Sequence, residues 1–302
     1  MTLRRILAFS LAIVLCVAAT SQTNHIKRPT KKRPATTQVE PKKSKPKKTQ
    51  SNNSSKPKAN NNPIVQTSPY TPQVRSFNAN GVRFEMVEVR GGTFRMGATS
   101  EQGSDAYSDE KPVHSVTLDS YYIGKTEVTQ ALWKAVMGSN PSKFKGDDLP
   151  VECVSWEDCQ TFIEKLNALT GRSFRLPTEA EWEFACRGGK NSRGYKYSGS
   201  DDINRVAWYS DNSGSRTHIV ATKTANELGV YDMIGNVDEW CADWYGDYSS
   251  RQQHNPSGAT SGKERVGRGS GWGNTARDCR SSTRGTCAPS SRGNGLGFRL
   301  VL

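Results

Sequence analysis

Arg175-Leu-Pro-Thr-Glu-Ala-Glu-Trp182 is the stretch from which the fold is read. Thr178 followed three residues later by Glu181 is a capping box, in which each side chain satisfies an orphan backbone N–H of a helix start. Trp182, Ala185 and Cys186 then follow at helical spacing, and Gly188-Gly189 supplies the stop. Upstream, Ser155-Trp-Glu-Asp158 is a weaker relative of the same start. Cys159, Phe162, Ile163, Leu166 and Leu169 recur behind it with helical period, and Gly171 closes the segment. A third helix is expected over residues 129–137. Short strands are expected over 83–89, 113–118 and 298–302. Long loops of Gly, Asn, Ser and Asp join these elements, and loops of that length in a compact domain carry function or bind ions. There is no fixed-period repeat. The pattern is α+β, with sparse regular secondary structure and long loops.

The charge is unevenly distributed. Residues 22–75 hold 13 Lys and Arg against one acid, Glu40; with Arg4 and Arg5 set aside, 27 basic and 28 acidic residues remain in 76–302. The basic pI therefore belongs to the 22–75 segment, and nucleic-acid binding by the domain is not indicated. That segment, rich in Lys, Pro, Asn and Ser, has too few apolar side chains to offset chain entropy, and is expected to be a disordered linker. It is read as a solvated spacer, or as a contact for anionic cell-surface polymer. Residues 1–21 start with Arg4 and Arg5, continue as an apolar run from Ile6 to about Ala19 and end in small residues. This reads as a cleaved signal peptide and predicts a secreted, periplasmic or cell-surface protein. An uncleaved anchor and lipidation at Cys16 are the alternatives, the second disfavoured by Leu15. Residues 76–302 form one domain. Its six cysteines, Cys153, Cys159, Cys186, Cys241, Cys279 and Cys287, predict disulfides in an oxidising compartment, in pairings that sequence cannot sort.

Seven stretches, in order, resemble one family. They are Met86-Val-Glu-Val-Arg-Gly-Gly-Thr-Phe-Arg-Met-Gly97; residues 113–118 with Tyr121-Tyr122-Ile-Gly-Lys-Thr-Glu127-Val128-Thr129; Pro150-Val-Glu-Cys-Val-Ser-Trp156; the opening stretch 175–182; Gly229-Val-Tyr-Asp-Met-Ile-Gly-Asn236-Val-Asp-Glu239-Trp240; residues 265–272; and Gly297-Phe-Arg299. Together they resemble the sulfatase-modifying factor, or formylglycine-generating enzyme, family. The resemblance implies a C-type-lectin-like α+β fold.

The family's founding activity converts a sulfatase cysteine to formylglycine with oxygen and a copper ion held by two cysteine thiolates. In catalytic members these lie five residues apart, just after a Gly-Gly-Ser-aromatic turn. Here the matching stretch runs Gly269-Ser-Gly-Trp272-Gly-Asn274-Thr-Ala-Arg277-Asp-Cys279-Arg280, with Cys279 at the second position and Asn274 at the first. A neutral hard amide cannot replace a thiolate on Cu(I), so oxidase chemistry is expected to be lost. Cys279 then becomes half of a disulfide, with Cys186 or Cys287 as partner. Only if the oxidase reading held would it be catalytic, with copper as cofactor. The family's iron branches need clustered histidines, whereas His114, His218 and His254 are scattered.

The resemblance also implies a calcium loop, with the Asp232 side chain, the Gly235 and Val237 carbonyls and the Glu239 carboxylate as ligands. A second calcium site of the family is not carried over, because residues 206–212 depart from its pattern. The family's substrate groove corresponds to residues 272–295. There Trp272 offers a stacking face, Asn274 a polar group, and Arg277, Arg280, Arg284 and Arg292 forked donors for carboxylate, sulfate or sugar acids. The function expected is therefore a secreted binding or surface-assembly module for a peptide, glycan or cell-envelope ligand, without redox chemistry. A formylglycine-generating oxidase and an envelope accessory protein of gliding or secretion type are the alternatives.

Overall fold

The computed structural model describes residues 70–302. The expectations for the signal peptide, for Cys16 and for linker residues 22–69 lie outside the described residues. Ordered structure starts earlier than residue 76. The Tyr70 hydroxyl donates to the Glu88 carbonyl at 3.0 Å, and the Arg90 guanidinium stacks 4.5 Å from its ring centroid. Strand β1 (Val74–Ala79) then forms a hairpin with β2 (Val82–Val89) through Asn80 and Gly81, at φ 49° and 89°. An Asn-Gly pair with both residues left-handed is the two-residue turn that matches strand twist.

The remaining elements are β3 (Gly92–Met96), β4 (His114–Leu118), β5 (Tyr121–Gly124), α1 (Gln130–Met137), α2 (Trp156–Thr170), α3 (Glu179–Cys186), α4 (Ile203–Val206), β6 (Asp238–Trp244), β7 (Gln253–His254), β8 (Arg265–Arg268), β9 (Arg284–Cys287) and β10 (Leu296–Gly297). They make three small sheets, ordered β1-β2-β5, β3-β4-β7 and β10-β6-β8-β9. The mixture is α+β, as expected. All three expected helices form, and the two start signals read from sequence act as caps. Thr129 caps α1, Ser155 and Asp158 box the start of α2, and Thr178 and Glu181 box the start of α3. Gly171 ends α2 in the left-handed conformation that lacks a Cβ penalty. The strand expected over 298–302 is reduced to bridges. Val301 bridges Ile123 on one side and Arg175 on the other, and Leu300 and Leu302 make backbone bonds with Gly124 and Tyr122, so the terminal segment lies between β5 and the residue 175 loop.

Two apolar clusters fill the interior. One gathers around Trp182 and the other around Trp240, and both indoles are fully buried. Burial of side chains this large is the main stabilising term of the fold. Buried ion pairs tie distant loops to this frame. Arg280 clasps Glu110, Arg284 clasps Glu179, Arg299 clasps Glu239 and Arg268 clasps Glu183.

The expected disulfides are not present. No disulfide joins the six cysteines of the described residues, including Cys279 with Cys186 or Cys287. Instead Cys186, Cys241 and Cys279 pack in the Trp182 cluster, and Cys159 and Cys287 in the Trp240 cluster. They behave there as small apolar side chains. Burial pushes the Cys186 thiol up to about 11, while burial and the Glu152 carboxylate push Cys153 up to about 12.

Candidate ligand-binding face

Segment 229–240 is the centre of the candidate site. Gly229, Asp232, Gly235 and Asn236 all have positive φ, so the chain coils tightly before entering β6. At Gly235 only glycine fits, since a Cβ would lie 2.5 Å from the Trp208 carbonyl oxygen. Asn236 is the hub. Its N–H donates to Trp208 O at 2.8 Å, and its carbonyl accepts the Trp272 N–H at 2.8 Å. Its side-chain oxygen accepts the His218 N–H at 2.9 Å, and its amide nitrogen donates to Glu127 Oε2 at 3.0 Å. Neighbouring backbone bonds extend the seam: Gly235 N–H to Gly269 O, Asp238 N–H to Gly295 O, and Ser210 N–H to Asn274 O.

The four expected calcium residues share this segment. Asp232 Oδ2 accepts the Ala221 N–H at 2.6 Å, and burial pushes the Asp232 carboxyl up to about 6. Glu239 is already engaged. Arg299 donates to both its oxygens at 2.6 Å, and Trp182 Nε1 donates to Oε2 at 2.7 Å. Glu127, which the sequence reading did not single out, faces the same region. Burial, then Asp232 and Glu239, hold its carboxyl well above the usual range. Among the described residues no group of three or more His, Cys, Asp or Glu side chains is placed to hold a metal ion. Glu239, whose charge Arg299 cancels, therefore fits a hard cation poorly, which leaves the Asp232 carboxylate as the side-chain donor of the expected set.

The copper expectation meets a similar test. Asn274 Oδ1 accepts the Gly271 N–H at 2.9 Å, which folds the amide back into its own turn. Cys279 is 0% exposed, in the core near Tyr197 and Tyr209. An amide held inside a turn and one sealed thiol do not fit a two-thiolate Cu(I) site.

The groove arginines separate into two groups. Arg280 is fully buried, with Nη1 donating to Glu110 Oε2 at 2.8 Å. Arg284 is equally buried, with Nε donating to Glu179 Oε1 at 2.6 Å. Neither guanidinium is free to reach a ligand at the Trp272 face, and this corrects the expectation for both. Their guanidinium groups are consumed in holding loops to the core, the role for which a buried bidentate pair is suited. Arg292 is exposed but bidentate to Asp158. Arg277 alone is exposed without a carboxylate partner. It donates to the Asp105 carbonyl and stacks 4.1 Å from the Tyr107 ring centroid.

Trp272 is half-buried. Its indole N–H donates to Asn294 O, and Phe144 meets its ring edge-on, with centroids 5.8 Å apart. A second aromatic group stands on the other side of Asn236. His218 stacks on Trp208 at 3.8 Å and 12°, and the Lys223 ammonium lies 3.9 Å from the same indole centroid. Rings this close leave no room between them, so Lys223 covers the opposite face. Phe144 comes from the loop between α1 and α2, and Trp208 and His218 from the loop between α4 and β6, with no local sequence signal joining the two loops.

This geometry has relatives. The family described as "Sulfatase-modifying factor enzyme 1-like domain" matches residues 72–302. A chaperone protein, LppX, of Paenibacillus barcinonensis is 33% identical over 270 residues, covering 72% of this chain and 89% of its own. An inactive C-alpha-formylglycine-generating enzyme 2 of Bos taurus is 28% identical, covering 74% and 89%. Among solved structures, Treponema denticola variable protein 1 superposes with a TM-score of 0.70 at 34% identity, covering 76% of this chain and 99% of that one.

Proposed function

Since this chain belongs to the sulfatase-modifying factor family and has its C-type-lectin-like α+β fold, we propose that it is a non-oxidising binding module of that family, one that holds protein or peptide ligands. The observation that carries the reading is the pair of positions 274 and 279. The first is an amide hydrogen-bonded into its own turn, and the second a thiol with no exposed surface. The contact surface is the half-buried Phe144–Trp272 pair, with exposed Arg277, five residues along the chain, as the charged group. Amphipathic aromatics and arginine are the residues that dominate interface energetics. Relatives named as a chaperone and as an inactive enzyme support a role that needs no catalysis. The reading includes an extracytoplasmic location, supported by the basic and then apolar start of the chain. It also includes a calcium ion at Asp232, which would supply structural cross-linking of the coil around Gly235 and no chemistry.

The test is a peptide and glycan array probed with wild type, Trp272→Ala and Phe144→Ala. Peptide signals lost in both variants at unchanged melting temperature support the reading. Conversion of a Cys-x-Pro-x-Arg peptide to an aldehyde by the wild type, in the presence of copper, overturns it.

A further inference from the structure

A cavity of about 190 Å³ lies away from the Asn236 seam, under the loop between β6 and β8. At roughly 30 Å³ per water molecule, it has the capacity of about six waters. His114, Glu179, Asp243, Tyr248, Gln253 and Arg284 are among its walls. Gly258 closes it from the loop side, where a Cβ would lie 2.7 Å from Asp243 Cβ.

Two of its polar walls are buried and only half used. His114 is 2% exposed, and its Nδ1 pairs with the Pro112 carbonyl at 3.1 Å. In the neutral ring Nδ1 is thereby the donor and Nε2 a bare acceptor. Asp243 is 4% exposed, and its Oδ2 accepts the Glu179 N–H at 3.0 Å. Among the described residues no hydrogen-bond partner reaches His114 Nε2 or Asp243 Oδ1, and neither atom is sealed from solvent. Open to solvent and without a protein partner, both atoms are acceptors that an occupant donating hydrogen bonds can engage in place of water.

Charge narrows the choice. Glu179, Asp243 and exposed Asp247 repel an anion. Arg284 and Arg268 are consumed in ion pairs with Glu179 and Glu183 and are not free to hold an anion, and among the described residues no cluster of acidic side chains is placed to hold a metal cation. A small neutral molecule rich in hydroxyl donors remains. Gln253 and the Tyr248 hydroxyl, which itself donates to Glu179 Oε1 at 3.1 Å, add groups of the kind that hydroxyls meet.

We propose that this cavity binds a single sugar unit or a comparable neutral polyol, through hydrogen bonds donated by the ligand to Asp243 Oδ1 and His114 Nε2. This is a site separate from the Phe144–Trp272 face.

Saturation-transfer NMR on the full-length protein at pH 8, where Asp243 is ionised, tests it, with glucose, galactose, mannose, N-acetylglucosamine and sorbitol as probes and phosphate and spermidine as charged controls. Binding of at least one neutral probe is expected, and neither control should respond. Asp243→Asn keeps the Glu179 N–H bond but turns an amide NH₂ toward the cavity, and should weaken binding about tenfold or more. His114→Phe keeps the ring contact with Tyr248 and removes Nε2, with the same result. Trp272→Ala should leave it unchanged, which separates this site from the peptide-binding reading. Melting curves identify any variant that fails to fold, and Gln253→Ala, a change of side chain alone at a half-buried position, then replaces it. No response from any neutral probe, a response to the charged controls alone, or sugar binding indifferent to all these cavity variants overturns the proposal.

Discussion

The side-chain oxygen of Asn274 accepts the Gly271 N–H at 2.9 Å, while the Asn274 carbonyl accepts the Ser210 N–H at 2.9 Å. The residue at the first thiolate position is thus part of the scaffold. Asn274→Cys should cost about 1 kcal/mol for the lost hydrogen bond and still not assemble a two-thiolate copper site, because Cys279 has no exposed surface. Competition against a colorimetric Cu(I) chelator checks this. Stoichiometric cuprous binding by the variant would show that the second thiol opens readily.

Arg280 and Arg277 are three residues apart and should respond in opposite ways. Arg280→Ala leaves Glu110 charged and buried, which is expected to destabilise by about 3–5 kcal/mol. Arg277→Ala removes an exposed side chain and should stay within about 0.5 kcal/mol. Urea denaturation of both variants measures the difference. Equal losses would mean that the Glu110 clasp contributes little.

Asp243 gives the protein a definite pH dependence. Burial, and then the Glu179 carboxylate, push its carboxyl up to about 7. The folded state therefore holds this proton more tightly than the unfolded chain does. Between about pH 4 and 7 the native state binds the extra proton, so this group's contribution to stability falls as pH rises, by ~1.4 kcal/mol per pKa unit. Asp243→Asn, which stays neutral, should flatten that part of the stability curve. Thermal melts from pH 4 to 8 read it out, and parallel curves for the two proteins would exclude Asp243 as the source.

Six of the chain's seven cysteines lie in the described residues, and no disulfide joins them. Reducing agent should therefore leave the melting temperature unchanged. A thiol reagent should label these six quantitatively only in denaturant, since five of them are buried and half-buried Cys153 is pushed up to about 12. A melting temperature that drops on reduction would reveal a cross-link.

Calcium should raise the melting temperature of the wild type and raise it less in Asp232→Ala. Ligand stabilisation grows as RT ln(1 + [L]/Kd), about 2.7 kcal/mol at a hundredfold excess over Kd. Calcium titration by calorimetry gives the affinity directly, and a wild type that shows neither heat nor a shift removes the ion from this loop.

The helices were legible because their signals are local. A capping box and a left-handed glycine act within a few residues, and Thr178, Glu181 and Gly171 do what their spacing states. The hairpin at Asn80-Gly81 was also written locally, but the polar bias of the preceding segment hid it and set the domain start at 76, past Tyr70 and Val74. The site was less legible, because its pairings are long-range. Arg280 meets Glu110 across 170 residues, and Arg284 meets Glu179 across 105. An arginine in a polar loop looks the same from sequence whether it reaches outward for a ligand or inward for a buried acid. The Phe144–Trp272 contact has the same origin, as does the half-used pair His114 and Asp243.

Asn236 joins the loops on either side of it chiefly through main-chain atoms: its N–H to Trp208, its carbonyl to Trp272, and its amide oxygen to the backbone of His218. Peptide groups are the same whatever side chain they carry. Positions 144, 208, 218 and 272 can thus drift in identity while the architecture beneath them persists, so descendants of this gene are able to change what they recognise without relearning how to fold.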